Sequence, residues 1–221
     1  MTALLILAAL VGCGGSDPPA DPPATTSSAA AARPGPVVFI GDSITALWGG
    51  PIAEAVPPAD PSLEELVPGA IDAGVAGQTS AQMLERFGAD VLTHRPSVVV
   101  ILAGTNDICD AGDSASTADV ATMADEAAAA GAKVIIGTVP PVVSSSSCPL
   151  RTMEAAQRFN AEVVDLVGAH GYGLADYFGA MVNADGSQNA SLFDSDGIHP
   201  NAAGFSVMWG VLEPILRENG G

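Results

Sequence analysis

An α/β fold, with a parallel sheet covered by helices on both faces, is what this sequence predicts. Two observations lead there. Short apolar, β-branched runs alternate along the chain with longer stretches of helical period, and the runs show no in–out alternation, as suits strands buried on both sides. The runs are VVFI (37–40), AIDAGV (70–75), SVVVILAG (97–104), KVIIGTV (133–139) and GLADYF (173–178).

The stretches between them carry helix signals. In 79–92, Met83, Leu84, Phe87 and Val91 share one face. Residues 116–131 are alanine-rich and stop at Gly131. Residues 152–171 place Met153, Ala156, Phe159, Val163, Val164 and Val167 on one stripe and stop at Gly171. A last helix over 202–216 follows Pro200. There is no internal repeat and no second domain, so one folded domain is expected over 37–221.

Ahead of it, residues 1–13 form an apolar run, MTALLILAALVGC, too short for a bilayer span of about 20 residues but suited to the apolar region of an export signal. It lacks the usual basic start, which leaves room for a start codon upstream. Leu10 to Cys13 resembles a bacterial lipobox, implying a lipid anchor on Cys13 that holds an exported protein to a membrane of the cell envelope. A plain secretory signal with a chance cysteine is the alternative. Residues 14–36, rich in Pro, Ala, Ser and Thr, read as a disordered tether.

The chain holds 7 Lys and Arg against 25 Asp and Glu, a formal net charge of −18. That balance excludes a nucleic-acid partner, whose phosphates call for basic residues, and excludes charge-driven attachment to an anionic membrane. A small molecule or a glycan is the partner the charge permits.

In sheets of this class, ligands bind beyond the carboxyl ends of the strands. The word Gly-Asp-Ser occurs twice, at 41–43 and 112–114. Ser43 follows a strand and a tight turn and opens a helix, a geometry that presents a hydroxyl at the sheet edge. Ser114 follows no strand, and Ser114 or Ser116 reads instead as a helix N-cap. Ser43 is therefore the candidate nucleophile.

Of three histidines, His94 precedes a strand at the wrong end of the sheet, and His170 ends a helix, where a cation is common. His199 lies in a loop before the last helix with Asp196 three residues earlier, and Gly197 eases the turn between them. Asp–His–Ser is the acid–base–nucleophile order that acyl transfer needs, although a surface turn would use the same residues. Donors for an oxyanion are offered by the Gly77 backbone N–H, by Gly104 as a close-approach glycine, and by the Asn106 amide. Each is also an ordinary turn residue. Trp48 suits a pocket wall or the core equally.

GDSIT (41–45), Gly77 in GVAGQT, GTND (104–107) and DGIHPN (196–201) occur in the order found in SGNH/GDSL hydrolases, and the chain resembles that family from about residue 37 to its end. The resemblance implies a three-layer αβα, flavodoxin-like fold with strand order 2-1-3-4-5. It implies Ser43 as nucleophile, His199 as base and Asp196 as its orienting acid. The oxyanion hole would come from the Ser43 and Gly77 N–H groups and Asn106, with Asp42 and Gly104 supporting, and with no metal or organic cofactor. One departure is Asp72, where the second block often begins with asparagine. The expected activity is hydrolysis of short acyl or acetyl esters, or of lysophospholipid-like esters. The 24 residues at 46–69 show no large lid, which favours short acyl groups. A non-catalytic envelope lipoprotein that binds an acylated or glycan ligand is the alternative.

After Cys13, two cysteines remain. Export would place them in an oxidising compartment, where an even remainder pairs. Cys109 and Cys148 follow the third and fourth strands, neighbours in a doubly wound sheet, so a Cys109–Cys148 disulfide is expected at the candidate catalytic edge. Two free buried thiols are the other possibility.

Overall fold

The computed structural model describes residues 35–49 and 61–219. The apolar run, Cys13 and the tether to residue 34 lie outside the described residues, as does part of the segment read as lacking a lid.

Five parallel strands form one sheet in the order β2-β1-β3-β4-β5. They are β1 (Val37–Gly41), β2 (Ile71–Gly74), β3 (Val98–Leu102), β4 (Lys133–Gly137) and β5 (Gly173–Ala175). The flavodoxin-like order is the one the resemblance implied. β1 is paired on both sides, with Gly41 beside Gly74 of β2 and Leu102 of β3. The chain leaves all three strands at one edge, and β1 and β3 are buried at every position.

Helices cover both faces. α3 (Ser80–Asp90), α5 (Ala118–Ala129) and α6 (Met153–His170) bury Met83, Phe87, Met123, Phe159 and Val163 against Val38, Ile40 and Ile101. α1 (Ser43–Gly49) and α8 (Ala202–Asn219) bury Ile44, Trp48, Phe205, Met208 and Leu212 against Val37, Phe39 and Val100. Trp48 is core. Its ring lies 5.5 Å from that of Phe205 and 6.3 Å from that of Phe39, centroid to centroid, and only 2 % of the residue is exposed.

Several expectations are corrected. The run at 173–178 is a strand only to Ala175. The Asp176 side chain then accepts the Gly179 N–H at 3.0 Å and caps a short helix, α7 (Tyr177–Ala180). Val164 is 46 % exposed, and Asn160 is buried in its place, its carboxamide bonding both the N–H and the C=O of Val139. Ser114 caps nothing. Gly112–Ser114 is a single 3-10 turn, Thr117 stands at the N-cap position of α5, and the hydroxyl at the helix start is that of Ser116, which accepts the Ala118 N–H at 3.2 Å.

Two further short helices complete the domain, α2 (Leu63–Leu66) and α4 (Thr105–Ala111). α4 carries Cys109, which is disulfide-bonded to Cys148 in the β4–α6 loop, with Cα atoms 4.9 Å apart. The closed loop spans 39 residues, and in the chain-entropy model such a crosslink contributes about 4 kcal/mol. Cys109 and Cys148 should therefore be silent to a thiol reagent in denatured, unreduced protein. Reduction should lower the urea midpoint with little change in secondary structure, and a midpoint unmoved by reductant would contradict the bridge's contribution.

Candidate active site

β1 ends at Gly41, and the chain turns through Asp42 into α1, so Ser43 is the first residue of that helix and stands at the sheet's carboxyl edge. Its Oγ lies 2.9 Å from His199 Nε2. His199 Nδ1 lies 2.6 Å from Asp196 Oδ2. Asp196 Oδ1 accepts the Ile198 and His199 N–H groups at 2.8 and 3.0 Å. Partial burial works against the Asp196 charge. The His199 ring and the two amides outweigh it and hold this carboxyl below its usual range. A carboxylate fixed in this way selects the Nδ1–H tautomer and leaves Nε2 free to accept from the serine hydroxyl.

The loop carrying the pair is tightly specified. Gly197 has φ +67°, and a Cβ there would lie 2.5 Å from Val143 Cγ2, so a side chain would strain the backbone and force Val143 to shift. Gln188 Nε2 donates to the Gly197 and Pro141 carbonyls, both at 2.8 Å, tying the loop to the β4–α6 segment. Asn201 caps α8 through the Ala203 and Gly204 N–H groups and donates back to the Ser191 and Phe193 carbonyls. His199 is thus held between a capped helix and a bonded loop.

On the other side of Ser43, the β2–α3 loop carries Gly77, and the first turn of α4 carries Asn106. Asn106 Nδ2 donates to the Gln78 carbonyl at 2.9 Å, which leaves one of its two amide hydrogens unused. Asp107 accepts the Ser80 N–H and hydroxyl. α4 is thereby fastened to the Gly77 loop twice. Gly104, with φ +122°, opens α4 against the Phe159 ring and Val139, which a Cβ would strike. Sequence reading missed these ties, along with Arg86, which donates to Gln78 Oε1 at 2.6 Å and to the Gly41 carbonyl at 3.3 Å. The Asp of GTND was the available signal for the first. His94 and His170 lie away from the site, one before β3 and one at the end of α6.

A profile of the GDSL-like lipase/acylhydrolase family matches residues 39–207. The chain belongs to that family. It is a carboxylic ester hydrolase of the GDSL type. The esterase TesA of Pseudomonas aeruginosa is 29% identical over 153 residues, covering 66% of this chain and 70% of TesA. A GDSL-like lipase from Bacteroides thetaiotaomicron superposes with TM-score 0.72 at 28% identity, covering 83% of this chain and 88% of the lipase. An acetylxylan esterase from Geobacillus stearothermophilus shares the fold, with TM-score 0.66 at 18% identity over 85% and 94% of the two chains.

Asp42, the middle residue of the family's GDS word, is fully buried. Its Oδ1 accepts the Ile44 N–H at 2.9 Å, while Oδ2 has no hydrogen-bond partner. Burial pushes its pKa from 3.8 up to about 6, against the opposing pull of the Ile44 amide and of His199. Folded Asp42 therefore holds its proton more tightly than unfolded Asp42. Its contribution is full below about pH 4 and is lost as pH rises through about 6. Asp42→Asn, which cannot titrate, should match wild-type stability most closely near pH 4. It should then gain on wild type by about 2–3 kcal/mol by pH 7, read from urea midpoints at both pH values. A pH-independent difference would contradict the buried titration.

Proposed function

We propose that this enzyme is a serine esterase in which Ser43 attacks the ester carbonyl, His199 is the general base and Asp196 orients it. The observation that carries the reading is the unbroken line from Asp196 Oδ2 through both His199 nitrogens to Ser43 Oγ, at 2.6 and 2.9 Å. As Ser43 Oγ bonds to the carbonyl carbon, its proton passes to His199 Nε2. The carbonyl π electrons move to oxygen, and the oxyanion is met by the Ser43 and Gly77 N–H groups and the free Asn106 amide hydrogen. Collapse expels the alcohol, which takes the proton from His199. Water, deprotonated by the same imidazole, then releases the acid and restores Ser43.

The substrates we infer are short-chain acyl or acetyl esters, or lysophospholipid-like esters, whose alcohol portion includes small molecules and glycans. The supporting feature is openness, since Ser43 is only half-buried and the Asp196 side chain is 43% exposed. We further infer export and lipid anchoring at Cys13 in the bacterial cell envelope. The lipobox-like LVGC supports this, as does a disulfide of the kind that persists in oxidising compartments.

On a chromogenic acetyl ester, Ser43→Ala should abolish turnover, whereas Ser114→Ala should leave both kcat and stability unchanged, because its hydroxyl caps nothing. Equal losses would overturn the assignment. Asn106→Ala should lower kcat by about 10²–10³ with little change in KM, as expected for a donor used mainly in the transition state. A pure KM effect would make Asn106 a substrate-binding group instead. Fatty-acid labelling in the native host should vanish in Cys13→Ser; label retained there would rule out the anchor.

A further inference from the structure

The turn that carries Gly77 is held by hydrogen bonds rather than by packing. The Gln78 N–H donates to the Val75 carbonyl at 3.3 Å. Gly77, between them, has φ +80°, the left-handed conformation that a tight turn can require at its third residue. Apart from its chain neighbours, no heavy atom among the described residues lies within 4 Å of the point where a Gly77 Cβ would stand. No side chain braces the turn from that direction.

The turn is fixed instead at its two ends. At the first, the Val75 N–H donates to the Gly41 carbonyl at 3.0 Å, continuing the β1–β2 pairing one residue past Gly74. At the second, Gln78 is held twice. Its carbonyl accepts from Asn106 Nδ2 at 2.9 Å, and its Oε1 accepts from Arg86 Nε at 2.6 Å.

Arg86 also reaches the first end. Its Nη2 donates to the same Gly41 carbonyl at 3.3 Å, and its Nη1 donates to Asp90 Oδ2 at 3.0 Å, one turn further along α3. The Arg86 side chain is only 15% exposed, and these acceptors offset the cost of burying its charge. Among the described residues, it is the one side chain that bonds both the strand end leading into Ser43 and the turn of Gly77. A guanidinium suits this task because its N–H groups diverge within one rigid plane and meet several partners at once. A lysine ammonium is a single point on a flexible stem.

We propose that Arg86 is a positioning residue for the oxyanion hole, its guanidinium locking the Gly77 turn to the end of β1 so that the Ser43 and Gly77 N–H groups keep one spacing. Two donors stabilise a single oxygen only when both point to where its charge develops, and donors already in place need no rearrangement during the reaction. Without the guanidinium, the Gln78 side chain loses its partner and the Gly41 carbonyl keeps only the Val75 N–H. The turn is then free to move against Ser43, taking the Gly77 donor with it. The inference rests on the reading of Ser43, Gly77 and Asn106 given above. Ser43→Ala tests that reading separately, since activity surviving in it sinks the reading whatever Arg86 does.

The test is kcat and KM on a chromogenic acetyl ester, measured well below each variant's unfolding midpoint. Arg86→Met should lower kcat about 10–100-fold with KM within about twofold of wild type, the pattern of an interaction realised in the transition state. Arg86→Lys keeps the charge but not the fork, and should lose most of the same activity. Gln78→Met removes one of the acceptors and should lower kcat by a smaller factor. Adding Arg86→Met to it should bring kcat only to the level of Arg86→Met alone, because the two residues act through one contact. Wild-type kcat and KM in Arg86→Met, with only the urea midpoint lowered, would overturn the proposal in favour of a purely structural role. A rise in KM alone would overturn it in favour of substrate contact, and multiplied losses in the double variant would overturn the link through Gln78. Should Arg86→Met not fold, Arg86→Lys and Gln78→Met decide: wild-type kcat in either overturns the proposal.

Discussion

The hydrogen bond between Ser43 and His199 joins residues 156 positions apart, and much of the molecule serves that meeting. Ser43 is fixed early, where β1, an interior strand paired on both sides, ends. His199 arrives only after four crossovers have laid down the other strands. A parallel sheet makes this possible because every strand leaves at the same edge, so a loop late in the chain can return to a turn formed at its start. Gln188 and Asn201 then hold the returning loop, and the glycine at 197 lets it pass Val143.

The opposite wall is fastened differently. There the proposed oxyanion donors come from two segments, after β2 and β3, and two donors can serve one oxyanion only if their spacing is fixed. Asn106 bonding Gln78, and Asp107 bonding Ser80, provide that spacing. Preorganised donors of this kind need no rearrangement when charge develops, which is why they are effective. The disulfide extends the same logic, tying the helix of Asn106 to the β4–α6 loop that borders Gly197.

Charge is distributed unevenly about this centre. The chain has few cations, yet Arg86 stands beside the β1–α1 turn. Arg86 bonds the Gly41 carbonyl and Gln78. Asp42 is buried in the same region, with one side-chain oxygen satisfied and the other not.

The sequence by itself determined the strands, the long helices, and the candidates Ser43, Asp196, His199, Gly77 and Asn106. These are legible because their signals are local: unbroken β-branched runs, a helical stripe ending in glycine, a serine after a strand, a histidine three residues from an aspartate. Ser114 lost its claim as nucleophile on the same local ground. The short helices α4 and α7 were hidden because four to seven residues do not express a period; the capping bond of Asp176 converts the end of an apolar run into a turn of helix. Only the tertiary structure decided that Trp48 is core, that Asp107 fastens Ser80, that Gln188 bridges two loops and that Arg151 turns inward beside an exposed Leu150. Each of these depends on segments far apart in sequence being brought into contact, and contact leaves no period or spacing in the sequence around any one partner.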